Sequence, residues 1–324
     1  MNIFVTGGAG YIGSAMADAL LKAGHKVTVY DSLVTGHSQA LPRGAHFVHA
    51  DLADGGRLAD ALRGETFDAV MHFAAFIEAG ESMKDPGKFY ANNLVNSLQL
   101  IELANRAGIA KFVLSSTAAV YQSSDEPLTE QSPLGPTNVY GHTKLVIEQA
   151  LEWYRQIHGL HYAALRYFNA CGALPERGEA HQPESHLIPR VLQVALGQAE
   201  AAYLFGTDYP TPDGTAIRDY IHISDLVGAH LLALGALDGR DRLIYNIGNG
   251  NGYSVREVIE AARLVTGHPI PAIESPRRPG DPARLVASSQ CIREELNWQP
   301  QYPDLKDILA SAWEWHRGHP MGYE

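Results

Sequence analysis

The sequence predicts an α/β protein: a Rossmann-type doubly wound parallel sheet with a smaller, mostly C-terminal substrate-binding α/β domain. Three observations predict it. Over the first 170 residues, short strand-like runs alternate with amphipathic helical segments. The runs are apolar throughout, as strands are when helices cover both faces of a parallel sheet. The first run passes directly into a glycine-rich turn that opens a helix, and right-handed crossovers then place ligands at the carboxyl ends of the strands.

The predicted strands are 2–6, 26–30, 46–50, 69–73, 111–115 and 162–168. Helices are predicted over 12–23 and 92–107; in the second, Leu94, Val95, Leu98, Ile101 and Ala104 share one face. After about residue 170 the rhythm changes. Residues 172–184, rich in Gly, Pro, Glu and His, read as a loop, and a helix follows over 187–197. A turn-rich stretch over 205–214 contains Pro210 and Pro212, residues 243–247 read as a strand, and 269–282, with five prolines, reads as mostly loop.

Composition bounds the function. The 324 residues are 45% hydrophobic and 19% charged, enough for two domains with full cores. Thirty-six acidic residues against 25 basic ones give a net charge of −11, so no cationic field is available for nucleic acid or an anionic membrane. Any bound anion must be met by a few placed arginines and backbone N–H groups. Cys171 and Cys291 cannot make a disulfide framework, which fits a reducing, cytoplasmic setting. No basic leader precedes an apolar run at the start, and the longest apolar stretch, 226–237, is too short to span a bilayer and holds His230. Neither a signal peptide nor a membrane span is expected.

The turn reads Thr6-Gly7-Gly8-Ala9-Gly10-Tyr11-Ile12-Gly13. Glycines permit a tight turn and close approach to a pyrophosphate, and the helix start supplies N–H groups and a partial positive charge. Asp31 ends the second strand 18 residues after Gly13. A carboxylate there suits the ribose hydroxyls of NAD and repels the extra phosphate of NADP. Asp51-Leu52, after the third strand, falls where an adenine is flanked; the other reading of Asp51 is a helix N-cap.

Tyr140 and Lys144 form a Y-x-x-x-K pair on one face of a helix that continues through Leu145, Glu148 and Leu151. Ser116-Thr117 places hydroxyls at the carboxyl end of a central strand. A phenol titrates near 10 and is a poor base at neutral pH. An ammonium about 5 Å away, at an effective dielectric near 20, stabilises the phenolate by about 3 kcal/mol, roughly two pH units. The positive ring of an oxidised nicotinamide adds to this. Tyr140 can then exchange a proton with a substrate hydroxyl while hydride leaves the same carbon, with Thr117 holding the oxygen.

Together these residues resemble the extended short-chain dehydrogenase/reductase superfamily, and within it the UDP-sugar 4-epimerases, over essentially the whole chain. His72-Phe73-Ala74-Ala75, Ser115-Ser116-Thr117 and Tyr140–Lys144 carry the superfamily likeness. Gly80-Glu81-Ser82, Leu165-Arg166-Tyr167-Phe168-Asn169, the run from Asp208 to His222 around Arg218, and Arg277-Arg278-Pro279-Gly280-Asp281 carry the epimerase likeness. The resemblance implies reversible oxidation at C4 of a UDP-hexose, interconverting UDP-glucose and UDP-galactose in a homodimer. Tyr140, Lys144 and Thr117 are implied as catalytic. Gly7, Gly10, Tyr11, Ile12, Gly13, Asp31, Ser32, Asp51, Leu52, Phe73, Ala74, Ala75, Asn92, Tyr140, Lys144 and Phe168 are implied to bind NAD. Thr117, Asn169, Leu187, Tyr203, Leu204, Phe205, Arg218, Arg278 and Asp281 are implied to meet the UDP-sugar. Residues 1–170, with segments near 215–250, become the NAD-binding domain, and 171–214 with 251–324 the UDP-sugar-binding domain.

Three departures matter. Thr117 stands where the family often has serine, Ile77 where many members have a lysine, and Leu285 where a side chain gates N-acetylated sugars. Rival readings are an epimerase of UDP-N-acetylhexosamines or UDP-pentoses, a 4,6-dehydratase, an NADP-dependent reductase and a non-catalytic NAD sensor. The dehydratases place Asp-Glu after the strand-end threonine, where this chain has Ala118-Ala119. Arg218 beside Asp219 has a plain ion pair as its alternative reading, and Arg278 a loop cation. No metal site is expected: H-E-x-x-H and C-x-x-C are absent, and His181 and His186 have no third evident ligand in sequence.

Overall fold

The computed structural model describes residues 1–278 and 281–323; Pro279 and Gly280 of the Arg277–Asp281 motif, and Glu324, lie outside the described residues. The strands are β1 (Asn2–Thr6), β2 (Lys26–Asp31), β3 (His46–His49), β4 (Ala69–His72), β5 (Lys111–Thr117), β6 (His161–Tyr167), β7 (Asn169–Cys171), β8 (Ala202–Phe205), β9 (Ile217–His222), β10 (Arg242–Ile247), β11 (Gly252–Ser254), β12 (Ala272–Ser275) and β13 (Arg284–Leu285). The α-helices are α1 (Tyr11–Lys22), α2 (Gly55–Gly64), the single turns α3 (Ala79–Ser82) and α4 (Pro86–Phe89), α5 (Asn96–Arg106), α6 (Val139–His158), α7 (Leu187–Ala195), α8 (Ile223–Ala236), α9 (Val255–Thr266), α10 (Gln290–Leu296) and α11 (Leu305–Gly318).

Seven strands form the central sheet in the order β10-β6-β5-β4-β1-β2-β3. From β1 the chain winds outward through β2 and β3, then crosses back to β4 and winds the other way. The reversal lies between β1 and β4, which pair in parallel with Thr6 opposite His72. This switch point is where such a sheet opens a crevice for ligands. The core beside it packs Phe4, Tyr30, Val70, Leu100, Phe112, Ile147 and Tyr162.

The chain divides into two compact units. The first is 1–120, 134–166 and 227–245; the second is 121–133, 167–226 and 246–324. The boundary differs from the sequence expectation: 167–170, 215–226 and 246–250 fall in the second unit, and so does the segment 121–133. Its contacts explain this: the Leu128 N–H donates to the Val286 carbonyl at 2.8 Å, and the Tyr121 hydroxyl donates to Asn246 at 2.7 Å. In the second unit β9 pairs with β7, β11 and β13, while β8 pairs with β12. Helices α7, α9 and α11 supply Val191, Leu192, Val258, Ile308 and Leu309 to its core. Within 269–282, read as mostly loop, residues 272–275 form β12.

Candidate active site

Gly7 has φ +69°, and a Cβ there would lie 2.4 Å from the Ala74 nitrogen, so only glycine closes this turn against the chain leaving β4. A Cβ on Gly13 would lie 2.1 Å from the Gly7 carbonyl oxygen. Gly10 is the N-cap of α1, with no side chain capping it. The first turn around Tyr11 and Ile12 therefore turns its peptide N–H groups and the helix's positive end to the switch point, a fit for a pyrophosphate.

Asp31 ends β2 almost fully buried. Its carboxylate accepts the Ala9 N–H at 2.9 Å and the Leu33 N–H at 2.8 Å. Burial pushes its pKa up, and those two bonds pull against that rise. Each oxygen keeps a further lone pair for a ribose hydroxyl. Asp31→Ala should weaken NAD about tenfold or more, the scale of a lost charge-assisted hydrogen bond, and narrow the preference over NADP. Fluorescence titration with both dinucleotides checks this; an unchanged ratio would remove Asp31 from that role.

Ser32 follows, its carbonyl 3.2 Å from His49 Nε2. Asp51 is not the N-cap of α2; Asp54 is, accepting from the Arg57 N–H at 3.0 Å. Asp51 instead accepts the Ala53 N–H at 2.8 Å and, through its carbonyl, the Tyr30 hydroxyl at 3.0 Å. Leu52 is nearly buried, its carbonyl accepting the Gln99 amide at 2.8 Å. Past β4, the Phe73 N–H donates to the Thr6 carbonyl at 3.0 Å, and Ala74 and Ala75 stay partly exposed. Asn92 donates to Asn93 at 2.9 Å.

The reactive cluster stands at the carboxyl end of β5. Asn138 caps α6, accepting the Gly141 N–H at 2.8 Å. A Cβ on Gly141 would lie 2.2 Å from the Ala119 carbonyl, so the helix start presses on the turn after β5. That brings Tyr140 into hydrogen bonding with Thr117. Burial pushes the Tyr140 phenol up to about 12; the Thr117 bond pulls it down, and the Glu78 charge adds to the rise. Lys144 is buried, its ammonium donating to the Ser115 carbonyl at 2.7 Å. Burial brings it down to about 8, with Glu148 opposing. The predicted two-unit fall at Tyr140 is therefore corrected: in the chain alone, desolvation wins.

Three groups carry roles that the sequence does not reveal. Glu148 and Arg166, both buried, pair at 2.5 Å beneath this cluster, and Ser116 donates to Glu148. His72 bridges Thr6 Oγ1 at 2.6 Å and Ser97 Oγ at 2.7 Å. Burial, aided by the Lys144 charge, brings His72 down to about 3, so it is a neutral strut. Asn93 clamps Phe76, accepting its N–H at 2.9 Å and donating to its carbonyl at 2.8 Å. A polar residue one helical turn from a reactive one, as Glu148 is from Lys144, was the available signal.

In the second unit, Arg218 pairs with Asp281 at 2.5 Å rather than with its neighbour Asp219, and donates to the Pro282 carbonyl at 2.8 Å. The exposed Arg278 lies over the Phe205 ring at 4.1 Å. Asn169 donates to the Asp219 carbonyl at 2.8 Å, Leu187 opens α7, and Phe168 donates through its N–H to Ile247 at 3.4 Å. Tyr203 is exposed on β8, but Leu204 is 2% exposed and packs in the core. Strand alternation points the Leu204 side chain inward. Asp219 is a buried carboxylate accepting N–H groups of Asn249, Gly250 and Ala287.

The fold and its glycine turn define an enzyme of the dinucleotide-dependent class. Residues 3–248 match the model of the NAD dependent epimerase/dehydratase family. The chain belongs to that family, and its cofactor is NAD. A UDP-glucose 4-epimerase of Streptomyces lividans is 49% identical over 322 residues, 99% of this chain and 97% of the relative. A crystal structure of a UDP-glucose 4-epimerase matches with TM-score 0.96 and 51% identity over the full length of both chains. The Bifidobacterium longum enzyme of that name, solved with NAD+ and UDP, matches with TM-score 0.95 and 35% identity, covering 99% of this chain and all of the other. No helix among the described residues is long and apolar enough to cross a membrane.

Proposed function

We propose that this chain interconverts UDP-glucose and UDP-galactose by oxidising C4 of the hexose to a ketone and reducing it from the other face. The observation that carries this is Tyr140, bonded to Thr117 and one helical turn from buried Lys144, at the carboxyl edge of a sheet whose glycine turn and Asp31 fit NAD. Bound NAD supplies reversible hydride transfer, with no net oxidation over a cycle. Tyr140 takes the C4 hydroxyl proton during oxidation and returns it during reduction. Thr117 holds the reacting oxygen in line, and Lys144 contributes positive charge that favours the phenolate. Arg218 and Arg278 answer the diphosphate, as an acidic protein requires. Asn169, Leu187, Tyr203, Phe205 and Asp281 serve the rest of the UDP-sugar. Binding energy concentrated on the nucleotide leaves the sugar free to turn.

Purified chain given UDP-galactose and no reductant should form UDP-glucose. Consumption of NADPH, or bound NAD with no turnover, would overturn the reading in favour of a reductase or a sensor. UDP-N-acetylhexosamines and UDP-pentoses in the same assay define the breadth that Leu285 permits.

We also propose a cytoplasmic homodimer. Both cysteines are free thiols. Val95, just before α5, and Trp153 and Ile157 on α6 are 59%, 61% and 67% exposed, large apolar groups of the kind that mark an interface. Light scattering should give twice the chain mass, and Trp153→Glu with Ile157→Lys should halve it.

A further inference from the structure

We propose that Asp219 is a positioning residue for UDP-sugar binding: from behind its sheet, the carboxylate holds the arm that carries Asp281 and Leu285 against Arg218. This role rests on the function proposed above, in which Arg218 and Asp281 meet the UDP-sugar. Side chains alternate along β9. Arg218 stays partly exposed on one face, opposite Leu285 of β13, while Asp219 is fully buried on the other. β13 is only two residues long, so its own ladder is short for fixing the arm. Three further ties to β9 do so. The Ile217 N–H donates to the Ala283 carbonyl at 2.8 Å, Arg218 bridges Asp281 and the Pro282 carbonyl, and the Asp219 carboxylate accepts the Ala287 N–H at 3.0 Å. The first two hold the arm before β13; the third holds it beyond, two residues past Leu285.

The same carboxylate accepts the Asn249 and Gly250 N–H groups at 2.8 and 3.0 Å, and the Asp219 carbonyl accepts the Asn169 amide at 2.8 Å. One residue thus joins β9, the turn before β11, the arm and the Asn169 side chain. The fit is tight: a Cβ on Gly248 would lie 2.6 Å from a carboxylate oxygen and 2.9 Å from the carboxylate carbon. Burial works against the charge, pushing this carboxyl up to about 6, with the three N–H groups and Arg293 opposing. A neutral side chain would pack there at lower cost. What the ionised carboxylate adds is three charge-assisted bonds that bring separate points of the chain to one place.

The test uses full-length, NAD-loaded chain, with UDP binding measured by calorimetry and turnover measured with UDP-galactose. Asp219→Asn sets an amide NH2 against at least one of the three N–H donors. UDP should bind about tenfold more weakly or worse, the scale of a lost charge-assisted hydrogen bond, and KM should rise with it while kcat stays within twofold of wild type. Gly248→Ala, which crowds the same carboxylate from the other side, should reproduce that split. Asn249→Ala is the structural control. It removes amide bonds to the Tyr220 and Tyr302 carbonyls but keeps the N–H that Asp219 accepts. It should lower the melting temperature by about 2–4 °C and leave UDP affinity within twofold. NAD binding, which uses the first unit, verifies folding. Wild type that fails to convert UDP-galactose would overturn the underlying function. With wild type active, UDP affinity within twofold of wild type in Asp219→Asn or Gly248→Ala would overturn the positioning role. So would a fall in kcat at constant KM, equal weakening in Asn249→Ala, or failure of both clamp variants to fold, which would make Asp219 a support of the fold alone.

Discussion

Tyr140→Phe abolishes turnover, by about a thousandfold or more, the range of a lost general base, and leaves NAD and UDP affinities almost unchanged. The ring keeps its volume; only a hydroxyl bonded to Thr117 is removed. The chain's electrostatics sharpen the expectation. The phenol stands at about 12, because burial outweighs the Thr117 bond, while Lys144 sits near 8 with its ammonium on the Ser115 carbonyl. A preformed phenolate is therefore negligible at neutral pH in the free protein. The second positive charge needed to lower the phenol arrives with the oxidised nicotinamide ring. Tyrosinate absorbance should show this. The difference between wild type and Tyr140→Phe should begin at lower pH when NAD is bound than when it is absent. Turnover above a tenth of wild type in Tyr140→Phe would end Tyr140's role as base.

Much of this was legible in the sequence, and the reasons are local. β1, β2, β4 and β5 fall within two residues of their predicted ends because doubly buried strands are apolar without interruption. The glycine turn was readable because steric exclusion at Gly7 and Gly13 leaves no other residue type. What stayed hidden depends on distant pairing or on burial. β8 and β12 pair in parallel, Ala202 opposite Ala272, through a proline-flanked segment with no local strand signal. Residues 92–107 were read as one helix, but 90–95 is a π-helix; a side-chain period does not show how backbone bonds are wound. The Tyr140 shift takes the opposite sign to the sequence expectation because Coulomb attraction scales with a spacing visible in sequence, whereas desolvation depends on what surrounds the phenol.

Glu148→Ala should be the most damaging change to stability. Glu148 and Arg166 are 4% and 3% exposed, and Arg166 Nε and its terminal nitrogen donate to the carboxylate at 3.0 and 2.5 Å. Removing the acid strands a guanidinium in the core, at a cost of about 3–5 kcal/mol out of a typical total of about 5–15. The midpoint should fall by about 6–12 °C in a chain this long. Replacing both partners by methionine should recover most of that, because the stranded charge, rather than the missing attraction, carries the cost. A catalytic effect accompanies the structural one. Glu148 holds the Lys144 pKa up against burial, which alone would take it below about 8. An ammonium whose folded pKa is depressed loses its proton as pH rises through that value, so wild-type kcat should decline above about pH 8. In Glu148→Gln, milder to the fold, the decline should begin at lower pH; the double methionine variant should share that shift while regaining stability. An unmoved alkaline limb would separate Glu148 from Lys144, and an unmoved melting temperature in Glu148→Ala would mean that water reaches Arg166.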